Sequence, residues 1–127
     1  MVGIVIVSHS QKIAEGAREL ALQMAPSAKI ASAGGMKNGD IGTDVEKIFA
    51  GIKEVKSDEG VVILVDLGSA VMSSEMAIEM ISDNENIILV DSPLVEGAIF
   101  SAVEASIGSP LAKVVEVLKG AKNYKKF

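Results

Sequence analysis

Residues 60–69 read Gly60-Val61-Val62-Ile63-Leu64-Val65-Asp66-Leu67-Gly68-Ser69. The five residues after the glycine are all apolar, and four of them are β-branched, which indicates a strand buried on both faces. Beyond the aspartate, the apolar residues change to helical spacing. A buried strand that leads directly into a helix is typical of a parallel sheet in an α/β fold.

The same alternation of strand and helix extends over the rest of the chain. Further strands are predicted at Val2–Val7, Lys29–Ala33 and Ile87–Val90, and apolar residues at helical spacing lie between them. Parallel strands need such crossover helices, so the pattern predicts a single α/β domain over residues 1–127. We expect three layers, with a four-stranded parallel sheet in the order 2-1-3-4 covered by helices on both faces.

The ends of two helices are also predictable. Thr43 or Asp44 can cap the second helix, and Glu46 would complete a capping box with Thr43. The last helix is predicted to end near Leu118. Residues 119–127 carry four lysines and are predicted to form a loose C-terminal tail.

Three methionines of the third helix, Met72, Met76 and Met80, are spaced to share one helix face. Methionine is unbranched and fills irregular gaps between other apolar side chains. We therefore predict that these methionines pack in the core and do not bind a cofactor.

The composition excludes several classes of function. The chain of 127 residues has no cysteine and one histidine, which excludes disulfide scaffolds, thiol catalysis, and thiolate or multi-histidine metal sites. A net charge of −5 disfavours nucleic acid and anionic membranes as partners. No apolar run is long enough for a membrane span and there is no basic leader, so we expect a cytoplasmic protein. We also expect that the protein needs no metal or other cofactor.

Ligands of open parallel sheets bind beyond the carboxyl ends of the strands. The four predicted strand ends carry mainly small or polar residues, namely Ser8-His9-Ser10, Gly34-Gly35, Asp66-Leu67-Gly68-Ser69 and Asp91-Ser92-Pro93. Backbone N–H groups at the starts of the following helices are suited to bind an anion. A nucleotide-binding P-loop is absent, because Asp40 follows Gly39 where that motif requires lysine.

The single histidine, His9, is the candidate nucleophile at this edge. A neutral imidazole attacks a phosphoryl group through one ring nitrogen when the other nitrogen donates its proton to an acceptor. Strands one and three are neighbours in the 2-1-3-4 order, so Asp66 can be that acceptor and can stabilise the imidazolium. The residues expected to bind the phosphoryl group lie at the same strand ends: Ser8, Ser10, Gly35, Gly68 and Ser69.

Other interpretations of these residues are open at this point. His9 can be a polar capping residue, and Asp66 and Asp91 can cap the helices that follow them. The glycine-rich segment 34–42 can be a flexible loop without a role in binding. A signalling domain phosphorylated on Asp66 is a further alternative, although it requires an acidic pair where Ser8-His9 stands.

Four blocks of sequence, in this order, resemble a known family: Gly3–Ser10 with Ile13–Gly16, Ile41–Asp44, Gly60–Ala70 and Asp91–Ala98. They are similar to the phosphotransfer subunits of phosphoenolpyruvate-dependent dihydroxyacetone kinases. Those subunits resemble the mannose-type enzyme IIA domains of the bacterial sugar phosphotransferase system. The resemblance covers nearly the whole chain, from Gly3 to about Gly108.

This resemblance implies that His9 accepts a phosphoryl group from phospho-HPr on Nε2 and passes it to ADP on a separate, DhaL-type kinase subunit. Asp66 matches the aspartate that supports the histidine in the family, whose members are usually homodimers. The alternative is a mannose-type enzyme IIA that passes the group to a IIB domain of a sugar permease, although the residues Leu67–Ala70 favour the kinase subunit. A non-catalytic dimeric regulator that senses phosphorylation is a third reading.

Overall fold

A four-stranded parallel sheet lies at the centre of the computed structural model, which describes residues 1–127. The strands are β1 (Gly3–Ser8), β2 (Ile30–Gly34), β3 (Val61–Val65) and β4 (Ile87–Leu89), in the spatial order β2-β1-β3-β4. The helices are α1 (Gln11–Met24), α2 (Val45–Val55), α3 (Ser69–Glu79), α4 (Leu94–Ser106) and α5 (Leu111–Gly120). The predicted α/β class and the strand order 2-1-3-4 are confirmed.

Two separate apolar cores hold the helices to the sheet, because successive strand residues point to opposite faces. Ile4 and Ile6 of β1 face a core shared with α1, α4 and α5, whereas Val5 and Val7 face a core shared with α2 and α3. All four of these side chains are fully buried. The central strand is therefore covered on both sides, as its unbroken apolar sequence predicts.

The register of β1 and β3 brings the candidate residues together. Val7 pairs with Val65, so the residues that follow the two strands leave the sheet side by side. On the other side of β1, Ser8 pairs with Gly34. A side chain at Gly34 would lie 2.5 Å from the Ser10 carbonyl oxygen, so glycine is needed for β2 to end this close to the start of α1.

The methionines of α3 do not fill the core, so that prediction was wrong. Met72, Met76 and Met80 are 71%, 56% and 51% exposed. The side chains that α3 buries are small instead, namely Ala70, Ser74 and Ala77. Small residues let the α3 backbone lie close to the sheet, and the longer side chains are left on the outer face.

The structure also changes the predictions for the start of the second helix and for the C-terminal tail. Asp44 is the N-cap of α2, and its carboxylate accepts from the N–H groups of Glu46 and Lys47, whereas the Glu46 side chain pairs with Lys37 and forms no capping box. Within the expected tail, α5 continues to Gly120 and a 3₁₀ turn follows. Tyr124 then packs edge-on against Phe100, with the ring centroids 5.0 Å apart.

Candidate active site

His9 lies between β1 and α1, at the carboxyl edge of the sheet. Its ring is held at both nitrogens: Nδ1 is 3.0 Å from Asp66 Oδ1, and Nε2 is 2.6 Å from Ser69 Oγ. The side chain is 20% exposed, so the ring is mostly enclosed but still reaches the surface. The structure thus brings together one residue after β1, one after β3 and the first residue of α3.

Asp66 accepts four hydrogen bonds, which fix both carboxylate oxygens. Oδ2 accepts from the Ser8 hydroxyl at 2.8 Å and from the His9 backbone N–H at 3.0 Å. Oδ1 accepts from the Leu67 N–H at 2.8 Å and faces the imidazole. Partial burial by itself would raise the pKa of Asp66, but the hydrogen bonds from His9 and Ser8 outweigh it and hold that pKa below its ordinary value. The carboxylate is therefore ionised at neutral pH.

An ionised carboxylate can only accept hydrogen bonds, so the proton of a neutral His9 ring must lie on Nδ1. Nε2 then carries the lone pair and accepts a hydrogen bond from the Ser69 hydroxyl. This tautomer presents a nucleophilic nitrogen on the side of the ring away from Asp66. It is the arrangement in which a carboxylate orients an imidazole and stabilises the positive charge that develops on it.

Ser8, Ser10 and Gly35 are at the site but have other partners. The Ser8 hydroxyl is fully buried, donates to Asp66 and accepts from the Ser10 N–H at 3.0 Å. Ser10 is the N-cap of α1, and its hydroxyl accepts from the Ile13 N–H. The Gly35 N–H donates to the Ser8 carbonyl at 3.1 Å. These three residues therefore support the position of His9 and Asp66, and the structure does not direct their donors at Nε2.

Of the predicted phosphate-binding residues, Ser69 contacts the open side of the ring and Gly68 precedes it in the chain. Both are exposed, and no protein acceptor takes their backbone N–H groups. Gly68 precedes α3 without a side-chain cap, so the start of this helix presents unpaired donors next to Nε2. By contrast, neither Asp66 nor Asp91 caps the helix that follows it.

The glycine-rich segment is fastened at several points, which the sequence pattern did not reveal. The Lys47 ammonium donates to the carbonyl oxygens of Gly34 and Met36, at 3.0 and 3.2 Å. The Gly42 N–H donates to the His9 carbonyl at 2.9 Å. Thr43 and Ser73 share a hydrogen bond of 2.7 Å between their hydroxyls, which ties the end of the segment to α3. Backbone donors carry no side-chain signature, so Gly42 could not be identified from spacing.

Comparison with known proteins shows the family to which this chain belongs. The family model described as the fructose IIA component of the phosphotransferase system (PTS) matches residues 3–115. A phosphoryl donor subunit of PEP-dependent dihydroxyacetone kinase 2, DhaM, from Listeria innocua is 36% identical over 93% of this chain and 97% of its own length. The chain belongs to this IIA family, in its DhaM group.

Members of the DhaM group differ in length from one another. The DhaM subunit of Escherichia coli strain K12 is 40% identical over 91% of this chain, which spans about a quarter of that protein (26%). The Lactococcus lactis subunit, named a PTS-dependent dihydroxyacetone kinase phosphotransferase subunit, is 35% identical over 92% of this chain and 93% of its own.

Solved structures share the fold. A crystal structure described as the unknown function protein EF1359 superposes with a TM-score of 0.86 at 39% identity, over 99% of this chain and 98% of that one. A sigma-54 interaction domain protein from Enterococcus faecalis gives 0.72 at 14% identity, over 96% and 90% of the two chains, which shows a common fold alone. None of the helices in this IIA domain combines the length and apolar character that crossing a bilayer requires.

Proposed function

We propose that His9 carries a phosphoryl group between two proteins, from phospho-HPr to ADP bound on the ADP-binding subunit of a dihydroxyacetone kinase. The observation that carries the proposal is the arrangement of the imidazole, with Nδ1 toward the ionised Asp66 and Nε2 toward the surface. The names of the relatives support the choice of kinase, since they are described as phosphoryl donor subunits. The protein acts in the cytoplasm, where phosphoenolpyruvate and ADP are available.

The first transfer is a displacement at phosphorus. The lone pair on Nε2 forms a bond to phosphorus while the bond from phosphorus to the nitrogen of the donor histidine breaks, and that donor imidazole leaves with the electron pair. Asp66 stabilises the positive charge on the phosphorylated ring through the Nδ1 proton. The Ser69 hydroxyl, no longer needed by the lone pair, donates to a phosphoryl oxygen, and the N–H groups of Gly68 and Ser69 bind the others.

The second transfer reverses these roles. A terminal oxygen of ADP forms a bond to phosphorus, the bond to Nε2 breaks, and Nε2 regains its lone pair. ATP is the product, and the chain returns to its starting state. The contribution of the protein is positioning and electrostatic support, as is usual for phosphoryl transfer.

A homodimer is part of the proposal, and the outer face of α4 supports it. Val95, Val103 and Ile107 lie along this face and are 44%, 40% and 72% exposed. The face carries one acidic residue in the first turn, Glu96, which pairs with Lys126 at 3.0 Å. A helix that is apolar on its inner and outer faces is usually covered on both. A second copy related by twofold symmetry would present the same apolar face in return.

The test is mass spectrometry of the protein after incubation with phosphoenolpyruvate, enzyme I and HPr. We expect one added phosphoryl group that is stable in alkali and lost in acid, located on His9. His9→Ala should remain folded and take no label. A labelled His9→Ala protein, or a label that alkali removes, would contradict the proposal.

The acceptor is tested with the phosphorylated protein. Addition of the ADP-loaded kinase subunit should discharge His9 and produce ATP, whereas a purified IIB domain of a sugar permease should leave the label in place. Discharge by the IIB domain alone would assign the chain to the permease alternative.

A further inference from the structure

The exposed methionines of α3 form an apolar surface that the fold does not use. We call Leu67, Met72, Met76 and Met80 the methionine stripe; Leu67 is 61% exposed, and the methionines are at least half exposed. Met72, Met76 and Met80 are spaced at four-residue intervals and extend about 12 Å along one face of the helix. Apolar side chains on an outer helix face are exposed to water at a cost in free energy. Burial of these side chains against another surface would be favourable.

The methionine stripe begins at the candidate active site. Ser69, the first residue of α3, contacts His9 Nε2 at 2.6 Å, and it lies between Leu67 and Met72 in the chain. Any protein that brings a phosphoryl group to Nε2 must approach the start of α3. Such a protein would therefore cover Leu67 and Met72, and a modest interface would extend over the next turns of the helix.

The charge around the methionine stripe indicates the chemistry of its partner. Residues 66–80, from the active-site aspartate to the end of the stripe, contain three acidic residues and no lysine or arginine, and at the far end Met80 lies beside Lys53, Lys56 and Asp83. Glu75 and Glu79 of α3 itself are exposed beside the stripe. A complementary surface has apolar side chains at its centre and basic side chains around them.

We propose that the methionine stripe is the docking surface for the proteins that exchange a phosphoryl group with His9, each presenting an apolar patch bordered by lysine or arginine. The inference rests on the proposed function. Because a single nucleophile serves both transfers, donor and acceptor use this surface in turn and exclude each other. Flexible methionine side chains let one surface fit two different partners.

The experiment compares two donors of different size. Phosphorylation of His9 is measured with phospho-HPr and with phosphoramidate, a small donor that needs no docking surface, for the wild type and for Met72→Ser/Met76→Ser. We expect the KM for phospho-HPr to rise about tenfold or more in the double variant, with the phosphoramidate rate unchanged. The matched control is Met24→Ser, which removes a 62% exposed methionine from α1 in the other helical layer and should change neither rate.

Three outcomes would overturn the inference. An unchanged KM for phospho-HPr would show that the methionine stripe is not a docking surface, and an equal loss with phosphoramidate would show damage to the site instead. A shift of the double variant from dimer to monomer in sedimentation would mean that a second copy covers the stripe. If wild-type protein takes label from phosphoramidate but none from phospho-HPr, the proposed function itself fails.

The order of binding is tested with the two partners together. The ADP-loaded kinase subunit should raise the apparent KM for phospho-HPr in proportion to its concentration. Simultaneous binding of both partners to one protomer would contradict the shared surface.

Discussion

At the scale of single residues, the pair of His9 and Asp66 depends on one ionised carboxylate. Asp66 holds the ring through Nδ1 and is itself held by the Ser8 hydroxyl and two backbone N–H groups. Its charge opposes the positive charge of a phosphorylated imidazole. The side chain of Ser8, which the sequence predicted to bind phosphate, acts one step further from the reaction because it orients this carboxylate.

Asp66→Asn should slow phosphorylation of His9 by phospho-HPr by roughly 100-fold or more, since the neutral amide neither fixes the tautomer nor stabilises the imidazolium. Rapid-quench measurement of the labelling rate checks this. Asp91→Asn is the matched control, because Asp91 is exposed at the same edge of the sheet and should leave the rate unchanged. A wild-type rate in Asp66→Asn would remove Asp66 from the mechanism.

The lowered pKa of Asp66 also predicts a dependence of stability on pH. A carboxyl whose pKa is lower in the folded than in the unfolded chain stabilises the fold when the pH is above the ordinary pKa of 3.8. This stabilisation is lost as the pH falls through the pKa of the folded chain. The free energy of unfolding of the wild type should therefore exceed that of Asp66→Asn above about pH 5. Urea titrations should show this difference shrinking below about pH 4, and a difference that continues to grow below that pH would contradict the assignment.

At the scale of elements, the start of α2 connects helix stability to the glycine-rich segment. Asp44 caps α2, and Lys47 in the first turn holds the carbonyl oxygens of Gly34 and Met36. The same segment ends at Gly42, whose N–H binds the His9 carbonyl. A frayed α2 would therefore loosen the backbone on which His9 is placed.

Asp44→Ala should lower the free energy of unfolding by about 1 kcal/mol, because two backbone N–H groups lose their acceptor. Chemical denaturation measures the loss. Asp44→Asn, which retains a capping oxygen, should recover most of it. If alanine and asparagine destabilise the protein equally, the contribution of Asp44 is not that of a cap.

The error in the α3 prediction also belongs to this scale. Spacing at every fourth residue places Met72, Met76 and Met80 on one face of a helix but does not say which face the sheet covers. The alanines and the serine on the opposite side of α3 face the sheet because their small size allows close approach. The distance between α3 and the sheet decides whether large or small side chains can face the sheet. That distance depends on how the strands beneath the helix pack.

At the scale of the whole molecule, the two apolar surfaces lie on opposite helical layers. The methionine stripe is on the α2 and α3 side, and the exposed face of α4 is on the other. A dimer through α4 would leave the methionine stripe and His9 open to partner proteins. The assignments of these two faces are therefore compatible and can be tested separately.

Ile107→Glu should convert the proposed dimer to a monomer, because it places a charge within the proposed apolar contact. Analytical ultracentrifugation at several protein concentrations measures the change. Ile41→Glu is the matched control, since Ile41 is 73% exposed against 72% for Ile107 but lies in the glycine-rich segment. A monomeric wild type, or an unaltered dimer in Ile107→Glu, would remove α4 as the interface.

Much of the architecture can be predicted from the amino-acid sequence alone. The runs Val2–Val7 and Val61–Val65 are too apolar to face water. The segments between strands are long and helical, as the crossovers between parallel strands require. A parallel sheet sends all its strand ends to one edge, so the approach of His9 to Asp66 follows from the order of the strands. These features depend on local composition and on general rules of connection, which are both present in the sequence.

The partners of individual polar groups depend on the packed fold instead. Ser8 and Ser69 are both serines at strand ends, yet one is fully buried against Asp66 and the other contacts Nε2 at the surface. The contact of Gly42 with His9 and the outward direction of the α3 methionines have the same origin. Each depends on how closely segments far apart in the chain approach one another, and these contacts exist only once the helices have packed on the sheet.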